Sequence, residues 1–408
     1  MRILVLNAGS SSQKSCLYDL GEALAEAPPA PCWEAHLEWK GAFQNARLKV
    51  KSAQGETAQE PLDIGSRSAA IRHMLNTLCQ GPTRVLKDFS EVDVIGHRVV
   101  HGGRQYCEST LVTAEVKQAI GRMAMLAPSH NPANLEGIET AERLFPGRPG
   151  VAVFDTAFHS RMPQAAAIYP GPYAWFEQGI RRYGFHGINY QYCSRRAARI
   201  LCRDLKSLRM VACHLGHGCS LAAIANGRSV DTTMGFTPLE GLMMARRSGS
   251  VDPGILIHLL REEGYTAERL DEVLNRESGM LGISGVSDDM REVIAAMDAG
   301  NPRARLAFDV YIHILRRHMG AMVASLGGLD ALVFTAGIGE NSPLVREAAC
   351  RDFEFLGLRI DPQKNAQSPL DQDISTGDSA VRVVVVAARE DWEIARECWR
   401  LARASARS

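Results

Sequence analysis

Two segments about 200 residues apart begin with the same pattern: an apolar strand, a turn of small residues and a returning strand. Residues 2–6 and 13–20 flank the first turn, and residues 210–215 and 221–225 flank the second. Short β-branched and leucine-rich runs of this kind are typical of buried strands. We therefore expect two similar α/β halves, each of which begins its own sheet with one of these openings.

Length and charge narrow the class of protein. A chain of 408 residues is too long for one ordinary core, so two domains are the default. The 46 basic and 46 acidic side chains cancel, which argues against nucleic acid or an anionic membrane as the main partner. The longest apolar run near the end, 383–388, is far shorter than the about 20 residues that cross a bilayer.

Residues 3–6 are too short an apolar stretch for a signal peptide. The ten cysteines are scattered, and none belongs to a C-x-x-C pair. This distribution is typical of reduced thiols in a cytoplasmic protein rather than of a disulfide framework or a zinc site. We therefore expect a cytoplasmic, globular protein with no membrane or nucleic-acid partner.

Further elements follow from periodicity and turn signals. The Asn226-Gly227 pair predicts a type I′ hairpin, and Ser342-Pro343 predicts a helix start. Residues 361–378 are polar and are predicted to form a loop. Helices are predicted at 68–78, at 303–326 and from about 390, and strands at 92–100, 151–154, 331–335 and 382–388.

The first turn, from Asn7 to Lys14, is rich in glycine and hydroxyl side chains. Backbone N–H groups in such a turn can surround a phosphate, and Lys14 can reach it as a point charge. An ordinary serine-rich hairpin is the alternative. The turn is not a P-loop, because it lacks the G-x-x-x-x-G-K-[ST] pattern and no helix follows directly.

Two later turns have a similar composition. Residues 214–218, His-Leu-Gly-His-Gly, suit phosphate because their glycines allow close backbone approach. A metal site at His214 and His217 is less favoured, since no third ligand lies nearby in sequence. Residues 337–341, Gly-Ile-Gly-Glu-Asn, are predicted to form a nucleotide-binding turn, although a bare G-x-G also occurs in dehydrogenases.

Charged residues at predicted strand ends are candidates for anion chemistry. Arg98 and Arg247 lie beside glycines, where a planar guanidinium can bind carboxylate or phosphate. Asp155 directly follows the predicted strand 151–154, a position where functional carboxylates occur in α/β proteins. His130 and His186, each taken alone, are more often structural.

Taken together, these segments resemble the acetate kinase family over nearly the whole chain. Chance similarity cannot account for so many ordered segments. They are 6–12, 96–103, 127–132, 153–159, 183–187, 214–218, 234–241, 250–253 and 337–342.

The resemblance implies a fold and a domain organisation. The family belongs to the superfamily of acetate and sugar kinases, heat-shock chaperone ATPases and actin. Its fold consists of two duplicated ribonuclease-H-like α/β domains with an active-site cleft between them. We expect an N-terminal domain of residues 1–155 with 390–408, and a nucleotide-binding domain of residues 156–389.

The resemblance also implies residue roles. Catalysis would involve Asp155, His186, Arg247 and His130, and Asn7 and Glu390 would hold Mg²⁺, with Mn²⁺ as an alternative. The substrate would contact Arg98, Val100, Ser129, Phe185 and Pro238. ATP would contact Lys14, His214, Leu215, Gly216, His217, Gly218, Asp289, Met290, Arg291, Gly337, Ile338, Gly339, Glu340 and Asn341. A homodimer that uses acetate and ATP is expected.

Three positions depart from the family pattern. His217 stands where the family usually has asparagine, and Ser129 stands where it usually has leucine. Residues 388–391 read Ala-Arg-Glu-Asp in place of Thr-Asn-Glu-Glu, which keeps the carboxylate at Glu390. A shorter residue at 129 predicts a roomier acyl pocket and therefore good use of propionate.

The implied reaction needs no general base, because a carboxylic acid is ionised at neutral pH. Arginines and a divalent cation would counter the repulsion between the carboxylate and the phosphates. We therefore assign Asp155 to the orientation of Mg²⁺ or water rather than to proton abstraction. The alternatives are a propionate or broad short-chain carboxylate kinase, a pyrophosphate-dependent kinase and a non-catalytic actin-like ATPase.

Overall fold

The computed structural model of the protein describes residues 1–9, 12–25, 27–39, 45–128 and 130–405. The chain divides into two units. Unit 1 consists of residues 1–157 and 389–408, and unit 2 consists of residues 158–388. The boundaries predicted for the two domains, and the cleft expected between them, stay predictions.

Strands are numbered along the described chain. Strands β1 to β8 are Arg2–Ala8, Ser12–Asp19, Trp33–Trp39, Ala46–Ser52, Thr57–Leu62, Val94–Val99, Thr110–Leu111 and Gly150–Phe154. Strands β9 to β14 are Arg209–Leu215, Cys219–Ala225, Arg228–Thr232, Ala331–Thr335, Gln372–Asp373 and Arg382–Val385.

Helices are numbered in the same way. Helices α1 to α6 are Arg67–Asn76, Ala114–Arg122, Asn131–Leu144, Gln164–Ala167, Tyr173–Glu177 and Gly187–Ile200. Helices α7 to α11 are Pro253–Arg261, Ala267–Glu272, Gly279–Ser284, Met290–Asp298 and Pro302–Leu326. Helices α12 to α15 are Ala336–Asn341, Pro343–Cys350, Pro362–Ala366 and Glu390–Ser405.

The two sheets repeat one arrangement of strands. In unit 1, β3-β2-β1-β6-β8 lie side by side, and in unit 2, β11-β10-β9-β12-β14 do the same. In each set the first three strands are antiparallel and the last two run parallel to the third. This repetition confirms the prediction of two similar α/β halves.

Each strand-turn-strand opening is a hairpin, as predicted. Asn7 pairs with Lys14 across the first, and Leu215 pairs with Cys219 across the second. The predicted type I′ turn is also confirmed, since Asn226 and Gly227 have φ of 53° and 71° between two antiparallel strands. Positive φ at both central residues is the requirement of that turn.

Two sequence predictions of local structure are wrong. Residues 337–339 do not form a turn, because they belong to the short helix α12 that directly follows β12. The segment 361–378 is not all loop, since it contains α14 and β13. The Asp361 side chain caps α14 by accepting hydrogen bonds from the amides of Gln363 and Lys364. This cap stabilises a helix in a segment whose polar composition predicts a loop.

Helices cover both faces of the unit 1 sheet. On one face, Leu4, Leu6 and Ile95 pack in a core with residues of α1 and α3. Side chains alternate along a strand, so Gly96 faces the other side, where Ile394 and Cys398 of α15 lie. In this way the helix that follows unit 2 in sequence packs on β1, β6 and β8 of unit 1.

In unit 2, α11 packs on β9, β10 and β11, and α6 packs on β9 and β12. Strands β9, β10 and β12 are apolar and almost fully buried. Among the described residues, no helix is both long enough and apolar enough to cross a membrane.

The contact at Gly96 generates a stability prediction. A Cβ at this position would lie 2.6 Å from both Cys398 Sγ and Ile394 Cγ2, so Gly96→Ala must displace α15. We expect the free energy of unfolding to fall by about 1–3 kcal/mol, the usual cost of overpacking. Urea denaturation measures the change.

Gly137→Ala is the matched control in the same unit. Gly137 lies inside α3, and no atom lies within 4 Å of its added Cβ. Helix propensity therefore predicts an unchanged or slightly higher stability. Equal stability of the two variants would contradict the packing of α15 described above.

Candidate active site

Three neighbouring strands of unit 1 bring the first group of predicted residues together. Asn7 lies on β1, Arg98 on β6 and Asp155 directly after β8. These strands are parallel, with Leu6 opposite His97 and Arg98 opposite Val153. Since parallel strands end at the same edge of a sheet, their terminal side chains meet there.

Arg98 is the centre of this group. Its Nη2 and Nε donate to Oδ2 of Asp155 at 2.6 and 3.1 Å, and its Nη1 donates to Oδ1 of Asn7 at 3.3 Å. Glu390 completes the group, because its Oε2 accepts from Nδ2 of Asn7 at 3.2 Å and lies 3.9 Å from Nε of Arg98. The four residues therefore form one continuous polar network in unit 1.

Burial controls the protonation of this network. Asp155 is 1% exposed, and burial raises its pKa to about 6, with Arg98 opposing the rise and Glu390 adding to it. Burial alone would lower the pKa of Arg98, but the two carboxylates outweigh it, so the pKa is raised and the guanidinium stays charged. No described residue donates a hydrogen bond to the buried Oδ1 of Asp155.

Helix α15 delivers Glu390 to this network. The next residue, Asp391, accepts hydrogen bonds from Tyr18 Oη at 2.5 Å and from Cys16 Sγ at 3.4 Å, both on β2. Trp392 packs on the Tyr18 ring with centroids 5.6 Å apart. These contacts fix the first turn of α15 against the sheet, so the departure from the family pattern at 391 keeps a useful carboxylate.

Two asparagines in the first turn of α3 hold the backbone of Val100 and His101. Asn134 Oδ1 accepts from the Val100 amide, and Asn131 Oδ1 accepts from the His101 amide, both at 3.1 Å. His130 directly precedes this helix. The predicted acyl-pocket residue Ser129 lies outside the described residues.

Lys14 lies on β2, where its backbone pairs with Asn7. Its side chain is exposed. The proposed contact of this lysine with nucleotide phosphates stays a prediction.

In unit 2, His186 stands over the turn between β9 and β10. Its ring stacks on His214 with centroids 3.9 Å apart and planes 9° apart, and its Nδ1 lies 2.8 Å from Ser220 Oγ. Ser220 and His214 are paired neighbours on the two strands. His186 has φ of 58°, a left-handed conformation that a non-glycine residue adopts only under constraint.

The tautomer of His214 follows from its hydrogen bond. Asn189 Nδ2 lies 2.8 Å from His214 Nδ1, and an amide nitrogen can only donate. His214 Nδ1 is therefore the acceptor, and the proton of the neutral ring is on Nε2. That nitrogen lies on the side of Gly216, 3.7 Å from where its Cβ would be.

Arg247 meets His186 at the same turn. A Cβ on Gly218 would lie 3.5 Å from both Arg247 Nη1 and His186 Nε2. Burial lowers the pKa of Arg247, and among the described residues no carboxylate forms an ion pair with it. A half-buried guanidinium without a carboxylate partner is suited to an anionic ligand.

The backbone around Arg247 is tightly held. The amide of Ala245 donates to the His217 carbonyl at 3.2 Å, and the amide of Met280 donates to the Met244 carbonyl at 2.9 Å. Gly279 has φ of 64°, and a Cβ there would lie 2.3 Å from the Met244 oxygen. This position therefore requires glycine for both conformation and space.

Phe185 and Pro238 are placed by backbone contacts. The Phe185 carbonyl is 3.0 Å from Nε2 of the buried His159, and the Pro238 carbonyl accepts from Arg247 Nη1 at 3.2 Å. The sequence reasoning singled out neither Ser220, Asn189 nor His159. Histidine and small polar residues inside otherwise apolar segments were the available signal.

The predicted adenosine-side residues lie on α10, α12 and the β9–β10 turn. Gly216 approaches α12, since its Cβ would be 3.7 Å from that of Ala336. Asp289 caps α10, and hydrogen bonds from Arg291 lower the pKa of Asp289 to about 2, with a smaller contribution from His217. Arg291 itself is 89% exposed.

Buried Arg346 holds the far end of α12, a role that the sequence did not reveal. Its Nη1 donates to the carbonyls of Gly339 and Glu340 at 2.9 and 2.8 Å. Its remaining donors reach Asn365 and Ser368. Every guanidinium N–H is thus satisfied, which makes α12 a rigid element.

Asn7, Glu390 and Asp155 supply the oxygen atoms that Mg²⁺ prefers. The buried, unpartnered Oδ1 of Asp155 fits a cation-bound water or a cation. Within the described ranges no set of three or more His, Cys, Asp and Glu side chains forms a metal cluster. A site with few protein ligands that also needs phosphate oxygens is consistent with both observations.

Comparison with known proteins identifies the family of this chain. The sequence profile of the Acetokinase family matches residues 2–396. The chain belongs to this family. It is 60% identical over 402 residues to the acetate kinase of Trichormus variabilis, covering 98% of this chain and 99% of that protein. It is 58% identical over 408 residues to the acetate kinase of a Cyanothece strain, covering both chains fully.

Solved structures of family members confirm the fold class. The crystal structure of Porphyromonas gingivalis acetate kinase has a TM-score of 0.89 and 39% identity, covering 98% of this chain and 99% of that one. A propionate kinase from Francisella tularensis has a TM-score of 0.88 and 36% identity, with the same coverage. The ribonuclease-H-like prediction for this family member is therefore confirmed.

Asp155 generates a prediction about stability and pH. Its pKa is about 6 in the folded protein and about 3.9 in an unfolded chain, so the folded state binds the proton more strongly. Its contribution to stability is therefore lost as pH rises from about 4 to about 6. Asp155→Asn should remove this dependence.

Urea denaturation of the native protein and Asp155→Asn, without nucleotide and with a chelator, measures the effect. The native free energy of unfolding minus that of the variant should fall between about pH 4 and 6 and level off above. A difference that stays constant across this range would contradict the raised pKa.

Proposed function

We propose that this protein is an acetate kinase, which transfers the γ-phosphoryl group of ATP reversibly to acetate and forms acetyl phosphate and ADP. The observation that carries the proposal is the network of Asn7, Arg98, Asp155 and Glu390 in unit 1. It presents a charged arginine beside oxygen donors in a chain that belongs to the acetokinase family.

The acceptor needs binding rather than activation. A carboxylate is already ionised near neutral pH, and its lone pair attacks phosphorus directly. The main obstacle is repulsion between two anions, which Arg98 reduces by binding the carboxylate. Asp155 fixes the plane of the Arg98 guanidinium through two hydrogen bonds, so its role is orientation.

Unit 2 supplies donors for the transferring phosphoryl group. His186 and Arg247 meet at Gly218, and no carboxylate among the described residues neutralises Arg247. Preorganised donors of this kind stabilise charge that develops in the transition state. His130 is assigned to the acyl-phosphate side and Lys14 to the nucleotide phosphates.

ATP is proposed as the phosphoryl donor over pyrophosphate. The helix α12, with Gly337 to Asn341, is built rigidly against Arg346 and lies next to the β9–β10 turn. Pyrophosphate has no adenosine group, so α12 would have no part of the phosphoryl donor to bind. The adenosine contacts at 289–291 and 337–341 are part of the same proposal.

Mg²⁺ is the proposed cofactor, held by Asn7 and Glu390, with Mn²⁺ as a substitute. When bound, it neutralises phosphate charge and fixes the orientation of the phosphate oxygens. The protein's own contribution is the position of the two ligands, which the sheet edge and the first turn of α15 determine.

A homodimer and a cytoplasmic location complete the proposal. Helix α7 supports the dimer, because none of its residues is buried and Ile255, Ile257 and Leu260 are between 44% and 50% exposed. Exposed apolar surface of this kind is typical of an interface. Light scattering of the purified protein decides between monomer and dimer.

Propionate is the alternative acyl acceptor. A solved propionate kinase shares 36% identity with this chain, so the same fold serves both substrates. Arg98 would bind the carboxylate of acetate or of propionate in the same way. Only the apolar lining of the pocket would distinguish the two acyl chains. Val100, Phe185, Pro238 and Ser129 are the proposed lining.

One assay separates the candidate functions. Purified protein with Mg²⁺ is tested for acyl hydroxamate from acetate plus ATP, propionate plus ATP and acetate plus pyrophosphate, and for phosphate release from ATP alone. Acetyl hydroxamate with ATP is expected. Phosphate release without any hydroxamate would instead indicate an actin-like ATPase with no acyl acceptor and overturn the proposal.

Arg98→Ala and Arg247→Ala should each lower kcat for acetyl phosphate formation about 10²–10³-fold, the typical cost of one preorganised donor. Arg359→Ala is the control, because Arg359 pairs with Asp378 in an exposed ion pair away from the predicted residues. Circular dichroism checks that the variants fold. Near-native kcat in either variant would show that its assigned role is wrong.

Ser129→Leu tests the acyl pocket. An added methylene gains about 0.8 kcal/mol in a dry apolar space, and pockets discriminate one methylene by about 1–3 kcal/mol. We expect the native enzyme to use propionate about as well as acetate, and the variant to lose kcat/KM for propionate more than for acetate. A native ratio far below one that Ser129→Leu does not change would contradict this pocket.

A further inference from the structure

Loop 233–241, which carries Pro238, is held by Arg182, a residue to which the proposed reaction assigns no role. Nη1 of Arg182 donates to the carbonyls of Thr233 and Met234 at 3.1 and 3.3 Å. Nη2 of Arg182 donates to Oε1 of Glu240 at 2.8 Å. One guanidinium therefore binds both ends of the loop.

Tyr169 extends this contact to the middle of the loop. Its hydroxyl donates to Oε2 of Glu240 and accepts a hydrogen bond from the Phe236 amide at 2.8 Å. Burial raises the pKa of Tyr169, so the hydroxyl keeps the proton that it donates. We refer to Arg182, Glu240 and Tyr169 as the Arg182 cluster.

The loop backbone lies directly against the Arg182 cluster. A Cβ on Gly235 would be 1.6 Å from Oε2 of Glu240 and 2.0 Å from the Tyr169 hydroxyl. No other residue fits at 235 while the cluster is intact. This close approach means that a shift of the cluster must shift the loop.

The loop in turn connects the two segments with the proposed catalytic side chains. The Gly235 carbonyl accepts from the amide of Tyr183 at 3.0 Å, three residues before His186. The Pro238 carbonyl accepts from Arg247 Nη1 at 3.2 Å. The Arg182 cluster is thus one contact away from both segments.

We propose that Arg182, Glu240 and Tyr169 are positioning residues that set where Pro238 and Arg247 lie relative to Phe185 and His186. Through Pro238 they also determine the size of the acyl group that is accepted. The inference rests on the proposed function, because it assigns the loop to acyl binding and phosphoryl transfer. The proposal gives none of the three residues a contact with the reacting atoms.

Geometry explains why small changes here matter. A guanidinium binds two carbonyls and a carboxylate at once because its donors are fixed in one plane, and an ammonium cannot reproduce this. Misplacement of a catalytic group by about 1 Å costs on the order of 10²-fold in rate. Arg182→Lys and Tyr169→Phe therefore change the side-chain volume little but remove hydrogen bonds that hold the loop in place.

Unit 2 contains a closely matched control. Arg382 donates through Nε to Asp373 at 2.8 Å and through Nη1 to the carbonyls of Thr376 and Ser379 at 3.0 and 3.3 Å. Like Arg182, it joins one carboxylate and two carbonyls and is partly buried. Arg382→Lys therefore reproduces the chemical change away from loop 233–241.

The experiment measures kcat and KM for acetate, propionate and ATP in the native enzyme and the three variants. In Arg182→Lys and Tyr169→Phe we expect kcat/KM for acetate to fall about 10- to 100-fold. The propionate-to-acetate ratio should rise at least about threefold as Pro238 loses its restraint, and KM for ATP should change less than about twofold. Arg382→Lys should leave all of these within about twofold.

Hydrogen exchange followed by mass spectrometry gives a readout that is independent of activity. Peptides covering 233–241 should exchange faster in Tyr169→Phe than in the native protein, and Arg382→Lys should leave them unchanged. The inference is overturned if the native protein is active and the three variants have the same propionate-to-acetate ratio of kcat/KM, and the same exchange rate of 233–241, as the native protein. If the native protein phosphorylates neither acid, the proposed function fails, and the exchange data alone decide whether the Arg182 cluster holds the loop.

Discussion

The ion pair between Arg98 and Asp155 is the interaction on which unit 1 is organised. Asp155 is almost completely buried, and a buried carboxylate is tolerated only when it is paired and hydrogen bonded. Arg98 is both the ion-pair partner and the hydrogen-bond donor of Asp155, and it also contacts Asn7. It thereby links the residues at this edge of the sheet. Loss of Arg98 would leave the buried carboxylate of Asp155 without its ion-pair partner.

In unit 2, two residues near the proposed site have an unusual backbone conformation. His186 and Ala336 have φ of 58° and 64°, and each directly precedes or begins a helix beside the β9–β10 turn. Left-handed conformations at non-glycine residues persist only where the surroundings enforce them. Stacking on His214 and the bond to Ser220 enforce the first. The sheet of unit 2 therefore supports a strained, preorganised group of donors.

Much of the architecture could be predicted from the sequence because local signals and tertiary structure agree. The strand-turn-strand openings, the Asn226-Gly227 hairpin and the long helix α11 all have the periodicity or turn chemistry that their elements require. The prediction of a turn at 337–339 was wrong, since the helix formed there is held by hydrogen bonds from the buried Arg346 to the carbonyls of Gly339 and Glu340. The roles of the site residues were inferred from the resemblance and stay predictions, whereas the supporting contacts of residues such as Asn131 and Arg182 were not foreseen. Their partners lie many positions away and leave no local pattern.

The origin of α15 has a consequence for how the chain folds during synthesis. Residues 1–157 of unit 1 are made first, yet the face of their sheet at Gly96 is covered by residues that follow the whole of unit 2. Until those residues leave the ribosome, that apolar face is open and Asn7 and Arg98 lack Glu390. Domains usually fold in order as they emerge. Here a nascent chain in which both sheets have formed would still lack α15 on the first sheet. Chaperones that recognise exposed apolar surface would therefore distinguish it from the complete enzyme.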